Sequence, residues 1–387
     1  MRPIAVITKK GADRLRAGHP WVYRSDVRRP PEAPAGAVRV QDARGRPLGV
    51  ALWSPASEIS LRLVDSNPDA TLDDRWWRER LAAAIARREP LTREATAYRL
   101  VHGEGDGLPS LVCDKYDRWL VVQMSSAGLA AFSDVIVAEL LELTHPEGIL
   151  ARNDTPSRSR EGLPRDTIVL RGDVPREVEV VEHGVKYLAA PWTGQKTGAF
   201  LDQRENRRRI GELARGRALD CFSYHGSFAL HLAARADHVV ALDTSAEALL
   251  RARANAALNG FANLDYAEAN AFDYLRDRER AGDHFDTIVL DPPAFAKTRA
   301  SLPGALRGYH EINLRAMRLL GAGGLMLTAS CSYHLTKALF IEVLERAAQD
   351  SGRRIILRET LGQPLDHPEV LTIPETGYLK AAIVEAE

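Results

Sequence analysis

A cysteine and an aspartate, each at the end of a predicted strand, are the side chains best suited to chemistry. Cys331 lies in TASCSYH, and Asp291 opens DPPAF. A thiolate that adds to carbon 6 of a pyrimidine makes carbon 5 enamine-like, so that carbon 5 can attack a sulfonium methyl group. Cys331 would need a lowered thiol pKa for this role. Asp291, locked by Pro292 and a second proline, could grip the polar edge of a flipped base while Phe295 stacks on its face.

Each of these residues also has a plainer interpretation. A lone cysteine in a strand is usually a small core residue, and Asp291 could form a turn after a buried strand. The position of Cys331 at the ligand end of its strand, next in the sheet to Asp291, favours the chemical role. We interpret Cys221 and Cys113 as packing residues. Three cysteines cannot form a disulfide framework or a CxxC zinc site, so we expect no metal and a reducing compartment.

The turn after the first strand of the C-terminal half, DCFSYHGSF, contains a single glycine, Gly226. A G-x-G-x-x-G fingerprint is absent, which argues against NAD because a pyrophosphate needs a denser glycine turn. S-adenosylmethionine has no phosphate and tolerates a looser turn. Asp243 ends the next strand and could accept hydrogen bonds from both ribose hydroxyls, although the segment 243–245 could also cap a helix. Asn270 and Ala271 follow the third strand, where they could read the adenine edge.

All of these positions fall at strand ends within a regular alternation of strands and helices that begins near residue 218. Such alternation is typical of a doubly wound α/β fold with a mostly parallel sheet. No long helix separates the last two strands, so we expect one of them to be antiparallel. Ligands in such sheets bind outside the carboxyl ends of the strands. The seven predicted strands are ALDCFS, HVVALD, NLDYAEA, DTIVLD, LMLTASCS, RRIILRE and GYLKAAIVEA.

Residue patterns in the N-terminal part of the chain predict two further structural units. Residues 1 to about 66 are β-rich, since VRVQDARGRPLGVALW indicates a hairpin turning at 43–45 and ISLRLVD indicates another strand. The following region indicates an α+β unit, with helices over TLDDRWWRERLAAAIARRE and SAGLAAFSDVIVAELLELTHPEG, the second ending near 146–148, and strands between them. We therefore predict three domains, over residues 1–67, 70–180 and 181–387.

Composition and charge narrow the class of protein. The 387 residues are 45% hydrophobic and 27% charged, as in globular proteins. No apolar run predicts a transmembrane helix and no signal peptide is evident, so we expect a cytoplasmic protein that does not associate with membranes. The net charge is zero, but residues 1–30 hold eight basic and two acidic side chains. The basic side chains of residues 1–30 could bind nucleic acid, or they could form a solvated basic face.

Together these motifs resemble the bacterial large-subunit ribosomal RNA 5-methylcytosine methyltransferases of the RlmI/RlmO type. HPWVYRSDV is similar to the signature of their PUA domain, an RNA-binding β-barrel, and GEGDGLPSLVCDKY to a hairpin of their central domain. The resemblance implies a class I (Rossmann-like) methyltransferase domain with a mostly parallel seven-stranded sheet, preceded by an α+β central domain and an N-terminal PUA β-barrel. The methyltransferase motifs occur in order as GQKTGAFLDQRENRR, DCFSYHGSFALHLA, ALDTSAEAL, LDPPAFAK and TASCSYH.

The resemblance also implies a cofactor, a partner and a substrate site. The cofactor would be S-adenosyl-L-methionine, and the partner would be RNA, either 23S rRNA or a large-subunit precursor. Cys331 would be the nucleophile and Asp291 the carboxylate that grips the base. Lys196 would meet RNA phosphate, with Pro292 and Phe295 also at the substrate.

The implied cofactor site draws on several segments of the C-terminal half. Gln203 and Arg204 would lie beside the cofactor, where Arg204 could pair with the methionyl carboxylate or could be an ordinary charge at a helix start. The implied cofactor-binding residues are Gln203, Arg204, Tyr224, Gly226, Asp243, Thr244, Asn270, Ala271 and Asp291.

Two other functions remain open on the sequence. Related families that methylate a ring or exocyclic nitrogen of guanosine share the K-T-G-x-F-L-D and DPP motifs, and such an enzyme would not need Cys331. An RNA-binding assembly factor could have kept the fold without turnover. A homodimer also remains open.

Overall fold

The computed structural model describes residues 2–296 and 298–387, so Met1 and Lys297, the last residue of LDPPAFAK, lie outside the described residues. Among the described helices, none is both long and apolar enough to cross a bilayer. The chain forms two compact units, each built from three separate segments. The first unit comprises Met1–Val180, Ala189–Leu201 and Leu365–Thr376, and the second comprises Val181–Leu188, Asp202–Pro364 and Gly377–Glu387.

The first unit opens with a mostly antiparallel sheet in the order β2-β6-β5-β4-β1-β3. Its β4–β5 hairpin turns where the sequence predicts, because the Asp42 carboxylate accepts hydrogen bonds from the backbone N–H groups of Arg44 and Arg46. A helix that the β-rich pattern does not predict follows Thr8, whose hydroxyl caps it at the N–H of Gly11. The elements are β1 (Ile4–Ile7), α1 (Lys9–Arg16), β2 (Trp21–Tyr23), β3 (Val27–Arg29), β4 (Gly36–Asp42), β5 (Pro47–Trp53) and β6 (Ile59–Asp65).

The rest of the first unit is α+β, with a five-stranded sheet in the order β11-β10-β9-β8-β7. The predicted helix α2 begins after Asp73, whose carboxylate accepts from the N–H of Trp76, and it buries Leu81 and Ala84. The elements are α2 (Asp74–Ala86), β7 (Ala97–His102), β8 (Leu111–Tyr116), β9 (Trp119–Met124), α3 (Ala127–Ala130), α4 (Ser133–Thr144), β10 (Gly148–Arg152), α5 (Pro156–Arg160) and β11 (Thr167–Gly172).

The prediction of one helix over SAGLAAFSDVIVAELLELTHPEG is wrong, because the chain forms two helices, Ala127–Ala130 and Ser133–Thr144, separated by a break before Ser133. Phe132 leaves helical geometry, with φ −114° and ψ 15°. Its ring packs on the fully buried Trp77, with 5.2 Å between ring centroids. Packing of one aromatic side chain therefore overrides the local helical pattern.

The second unit contains a seven-stranded sheet in the order β16-β15-β14-β17-β18-β20-β19. Strand β20 is antiparallel to both of its neighbours, which confirms the prediction of one antiparallel strand near the end of the chain. A hairpin of β12 (Val178–Glu182) and β13 (Val185–Ala189) precedes this sheet. The remaining elements are α6 (Arg204–Leu213), β14 (Arg217–Cys221), α7 (Ser227–Ala233), β15 (His238–Asp243), α8 (Ala246–Leu258), β16 (Leu264–Glu268), α9 (Ala271–Ala281), β17 (Phe285–Leu290), α10 (Leu302–Leu319), β18 (Leu320–Ser330), α11 (Lys337–Ser351), β19 (Ile355–Leu361) and β20 (Lys380–Ala386).

The strand order reverses direction between β14 and β17. From β14 the chain proceeds outward through β15 and β16, and it then returns to β17 on the opposite side of β14. Helices cover both faces, and the central strand residues Ile288 and Val289 are completely buried in cores on the two sides. Ligands of open α/β sheets bind at such a reversal, outside the carboxyl ends of the strands.

Candidate functional site

The candidate residues of the second unit gather along the carboxyl edge of its sheet. Strands β15, β14, β17 and β18 are parallel neighbours, so the segments that follow them share this edge. From these segments come Tyr224, Gly226, Asp243, Asp291 and Cys331. The topology thus brings together residues that lie more than a hundred positions apart in the chain.

The loop after β14 has an unusual backbone. Phe222 has φ +65° and Tyr224 has φ +50°, both in the left-handed region that side chains other than glycine rarely adopt. Asp243 holds this loop in place, because its Oδ2 accepts a hydrogen bond from the Tyr224 N–H at 2.8 Å. Its Oδ1 accepts from the N–H of Ser245 at 2.9 Å, and Ser245 is the residue that caps α8. Backbone strain of this kind is typical of ligand-binding loops.

Gly226 completes this loop at φ +84°, at the start of α7. A Cβ atom at this position would lie 2.9 Å from the Cβ of Ala252 in α8, which is closer than real side chains approach. The missing side chain therefore allows α7 and α8 to pack closely behind the loop.

Replacing Gly226 by alanine should destabilise the protein by about 2 kcal/mol and weaken binding of the expected cofactor, S-adenosylmethionine, because both the backbone angle and the contact with Ala252 are unfavourable. Chemical unfolding and calorimetric titration would measure the two effects. Gly260→Ala is a matched control, since Gly260 has φ +68° but a Cβ there would meet nothing within 4 Å. Equal losses in the two variants would contradict the proposed crowding.

The third strand leads to a capped helix. The side chain of Asn270 accepts a hydrogen bond from the Phe272 N–H at 2.9 Å and thereby caps α9. Ala271 is buried in the first turn, whereas Thr244, after the neighbouring strand β15, is exposed. The predicted contacts of these three residues with the cofactor stay predictions.

A chain of hydrogen bonds orients the Asp291 carboxylate. Gln203 donates from its Nε2 to Asp291 Oδ1 at 2.7 Å, and Asn206 donates from its Nδ2 to Gln203 Oε1 at 2.6 Å. Gln203 and Asn206 are almost completely buried, so the amide orientation of Gln203 is fixed from both ends. Sequence reasoning missed Asn206, although its position three residues after Gln203 places both on one face of a helix.

Arg204 follows directly and is completely buried at the start of α6. Its Nε donates to Glu205 Oε1 at 3.1 Å. Lys196 lies in the first unit, where its Nζ is 5.0 Å from the centroid of the Phe200 ring. The predicted contacts of Arg204 with the cofactor and of Lys196 with RNA stay predictions.

A buried ionic cluster that the sequence did not indicate supports α6. Arg207 donates to both carboxylate oxygens of Glu182, at 2.7 and 2.6 Å, and His231 Nε2 lies 3.1 Å from Glu182 Oε1. Burial raises the pKa of Glu182, but Arg207 and His231 outweigh it and hold the pKa well below its usual range. The cluster joins α6, which carries Asn206, to α7, which follows the Gly226 loop.

Cys331 lies between two buried serines that hold its loop. Ser330 donates to the hydroxyl of Tyr309 at 2.8 Å, and the Tyr309 and Ser332 hydroxyl oxygens are 3.0 Å apart. Ser332 also accepts from the N–H of Ala296 at 3.2 Å, which ties the Cys331 loop to the segment that follows Asp291. We call Ser330, Tyr309 and Ser332 the hydroxyl bracket. It fixes the backbone on both sides of the cysteine.

The three cysteines differ in access to solvent. Cys331 is partly exposed, whereas Cys113 and Cys221 are completely buried. Burial raises the pKa of both buried thiols. Cys331 is therefore the thiol that a reagent or substrate can reach.

The predicted substrate residues next to Asp291 are packed against the protein. Pro292 is buried, and the ring of Phe295 lies 4.7 Å from the Tyr309 ring and 6.0 Å from the Phe272 ring, measured between centroids. Phe295 is partly exposed, and its proposed stacking on a base stays a prediction.

Comparisons with family models place two known modules in this chain. The PUA-like domain model matches residues 5–66, and the S-adenosylmethionine-dependent methyltransferase model matches residues 164–384. The expected class I methyltransferase fold with an N-terminal PUA-like domain is thereby confirmed.

Curated relatives match almost the full length of the chain. Two proteins named Ribosomal RNA large subunit methyltransferase I are similar to it. The relative from Aeromonas salmonicida is 39% identical over 388 residues, 97% of this chain and 98% of the relative. The relative from Shewanella amazonensis is 40% identical over 390 residues, 98% of each chain.

Two solved structures share the fold. One is described as a SAM-dependent methyltransferase from Streptococcus mutans, with 20% identity and a TM-score of 0.83. The other is a methyltransferase solved with SAH, with 20% identity and a TM-score of 0.84. Each match covers 99% of both chains.

Proposed function

The chain belongs to the family of the ribosomal RNA large subunit methyltransferase I proteins, and we propose that it methylates carbon 5 of a cytidine in 23S rRNA through Cys331. It is an S-adenosylmethionine-dependent methyltransferase that acts on large-subunit ribosomal RNA. The cytidine, the atom and the covalent mechanism form the proposal. The observation that carries it is a partly exposed thiol at the strand end beside Asp291.

The carboxyl edge of the sheet fits S-adenosylmethionine. The loop after β14 is held in the left-handed backbone region at Phe222, Tyr224 and Gly226, a geometry typical of ligand-binding loops. Oδ1 of Asp220, at the base of this loop, is buried and makes no hydrogen bond to any described residue. Burial raises the pKa of Asp220, with Asp291 and Asp243 adding to the shift, so its carboxyl favours the protonated form and its buried Oδ1 could exchange a hydrogen bond with a polar group of the ligand. The cofactor supplies an electrophilic methyl group.

We assign the cofactor contacts to the residues that this edge displays. Asp243 would hold the ribose, since its carboxylate is already fixed by two backbone N–H groups. Tyr224 and Gly226 would line the methionine end, with Gln203 and Arg204 beside it. Thr244, Asn270 and Ala271 would complete the adenosine end of the site.

The chemistry on the base follows from the two side chains at the neighbouring strand ends. Asp291, held by Gln203, would grip the polar edge of a flipped cytosine. The Cys331 thiolate would form a bond to carbon 6, which makes carbon 5 nucleophilic toward the methyl group. After methyl transfer, a base would take up the carbon-5 proton, the electron pair of that C–H bond would restore the double bond between carbons 5 and 6, and the bond from carbon 6 to sulfur would break to regenerate the thiolate. The hydroxyl bracket would keep Cys331 in position throughout.

The first unit provides surface charge for RNA. Lys9, Lys10, Arg28 and Arg29 are exposed, and the structure shows no ion pair for any of these four among the described residues. Other basic residues of this unit form salt bridges, as Arg14 does with Asp26. Unpaired exposed cations are the groups that bind phosphate. Together with Lys196, they form the proposed RNA contacts of a protein that we expect to act in the cytoplasm.

Nucleoside analysis of ribosomal RNA tests the proposal directly. When 23S rRNA from cells lacking this protein is incubated with purified protein and S-adenosylmethionine, we expect new 5-methylcytidine at one position. Mass spectrometry of the digested RNA would identify the modified nucleoside, with protein-free reactions as control. A methylated guanosine would instead assign the chain to a guanosine-directed activity.

A further inference from the structure

A buried lysine lies beside the Cys331 loop. Lys380 is the first residue of β20 and pairs in register with Ser330 of β18. Its side chain is almost completely buried, and its Nζ donates to the backbone carbonyl oxygens of Ser332 and Tyr378, each at 2.7 Å. The Lys380 amine is thus hydrogen-bonded to the backbone one residue after the cysteine.

Lysine side chains are almost never fully buried unless their ammonium group is hydrogen-bonded, so the contacts of Lys380 fix where its charge lies. Two backbone carbonyl oxygens accept hydrogen bonds from Nζ, and a lysine ammonium group offers three N–H donors. The hydroxyl bracket already ties the same loop through neutral hydrogen bonds. What Lys380 adds to these contacts is positive charge.

The charges on the surrounding elements explain why such a cation is useful. Asp291 ends the neighbouring strand, and its negative charge opposes ionisation of a thiol at Cys331. A cation buried near the thiol has the opposite effect. Among the described residues, the titratable and charged side chains closest to Cys331 in the chain or the sheet include Asp291 after β17, Tyr309 in α10, Tyr333 and His334 in the same loop, Tyr378 before β20, and Lys380 in β20. Asp202 accepts a hydrogen bond from Tyr378.

Tyr309, a second titratable side chain that contacts the loop, is uncharged. Burial raises its pKa, its hydrogen bonds with Ser330 and Ser332 oppose that rise, and the nearby Cys331 adds to it. The hydroxyl is therefore neutral at physiological pH. It serves as a neutral contact against which the effect of Lys380 can be compared.

We propose that Lys380 is a positioning residue whose charge favours the thiolate form of Cys331. The inference rests on the proposed role of Cys331 as the nucleophile. In this arrangement, the same ammonium group holds the backbone after the cysteine and compensates for the nearby Asp291 carboxylate. The enzyme can then maintain a base-gripping carboxylate and a reactive thiolate at adjacent strand ends.

Alkylation of Cys331 by iodoacetamide tests the proposal without requiring methyl transfer. The rate would be measured from about pH 5.5 to about pH 9.5, and modification would be assigned by peptide mass spectrometry. Cys113 and Cys221 are buried, so the folded protein reports on Cys331. We expect a wild-type midpoint below the value of about 8.5 found for a free cysteine.

Three variants separate the effect of the Lys380 charge from the effect of hydrogen bonds that hold the Cys331 loop. Lys380→Met should raise the midpoint by about one unit and slow alkylation at pH 7 about ten-fold. Lys380→Arg, which keeps the charge, should largely restore the wild-type midpoint. Tyr309→Phe loosens the same loop without removing a charge and should leave the midpoint within about 0.3 units of the wild type.

Three results would overturn the proposal. They are a wild-type midpoint at or above about 8.5, an unchanged midpoint in Lys380→Met, or equal shifts in Lys380→Met and Tyr309→Phe. If Lys380→Met does not fold, the alkylation midpoints of the wild type and of Lys380→Arg still test the proposal. A thiolate that depends on a nearby cation requires a midpoint below that of a free cysteine in both proteins. A protein that shows the expected titration but forms no 5-methylcytidine would contradict the proposed function and leave this inference intact.

Discussion

Replacing Cys331 by alanine should lower the yield of 5-methylcytidine in 23S rRNA by at least about 1,000-fold. Without a thiolate bonded to carbon 6, carbon 5 of cytosine is too weak a nucleophile to attack a sulfonium methyl. The hydroxyl bracket lies on Ser330, Tyr309 and Ser332 and does not use the cysteine side chain, so the loop should keep its shape. Single-turnover methylation assays on purified 23S rRNA would measure the loss.

Two control measurements and one trapping experiment accompany this prediction. Cys331→Ala should bind S-adenosylmethionine with near wild-type affinity by calorimetry, which separates lost chemistry from lost folding. Cys113→Ala removes a buried thiol of the first unit and should retain methylation. RNA carrying 5-fluorocytidine at the target should form a stable covalent complex with the wild type, because fluorine cannot leave as the proton does. Undiminished methylation by Cys331→Ala would refute the nucleophile assignment.

Replacing Glu182 by alanine should destabilise the second unit by about 3–5 kcal/mol, because it leaves Arg207 buried without its carboxylate partner. Arg207 and Glu182 are both almost fully buried and joined by two hydrogen bonds. Glu212→Ala is a matched control on α6, since Glu212 pairs with Arg208 and Arg209 on the surface. This control should cost less than about 1 kcal/mol. Similar losses in both variants would show that the buried cluster does not stabilise α6.

The choice of probe matters for this measurement. All six tryptophans, at positions 21, 53, 76, 77, 119 and 192, lie in the first unit, so their fluorescence reports that unit. Unfolding of the second unit should be followed by far-ultraviolet circular dichroism or by calorimetry.

The penalty of Glu182→Ala should also depend on pH. The pKa of Glu182 is lowered below its ordinary value of 4.5, so its contribution to stability is complete above that pH and is lost as the pH falls. Burial lowers the pKa of His231, so this histidine likewise destabilises the fold on acidification. The difference between wild type and Glu182→Ala should therefore shrink below about pH 4.5.

Local patterns predicted the features that depend on local chain geometry. The alternation of strands and helices placed Asp243, Asp291 and Cys331 at strand ends, and the structure brings those ends to one edge of the sheet. The single glycine of the β14 turn, Gly226, likewise lies where its missing side chain matters. Each of these inferences needed only the period of the elements and the rule that ligands bind at carboxyl ends.

Contacts between distant segments could not be predicted in this way. Glu182 and His231 are 49 positions apart, and nothing in their local sequence indicates a shared buried cluster. Lys380 and Ser332 are 48 positions apart and meet only because β20 inserts beside β18. The break at Phe132 has the same origin, since it depends on the ring of Trp77. Such features follow from tertiary packing, which no pattern within one element encodes.

The interleaving of the two units along the chain has a consequence for synthesis. The first unit includes Leu365–Thr376, which lies between β19 and β20 of the second. Domains commonly fold one after another as they leave the ribosome, with the N-terminal domain first. Here the first unit cannot be completed until Thr376 has emerged, by which stage nearly all of the second unit has been made. Completion of the first unit therefore waits until nearly all of the second has been made, and a single cut in the gene cannot yield either of them whole.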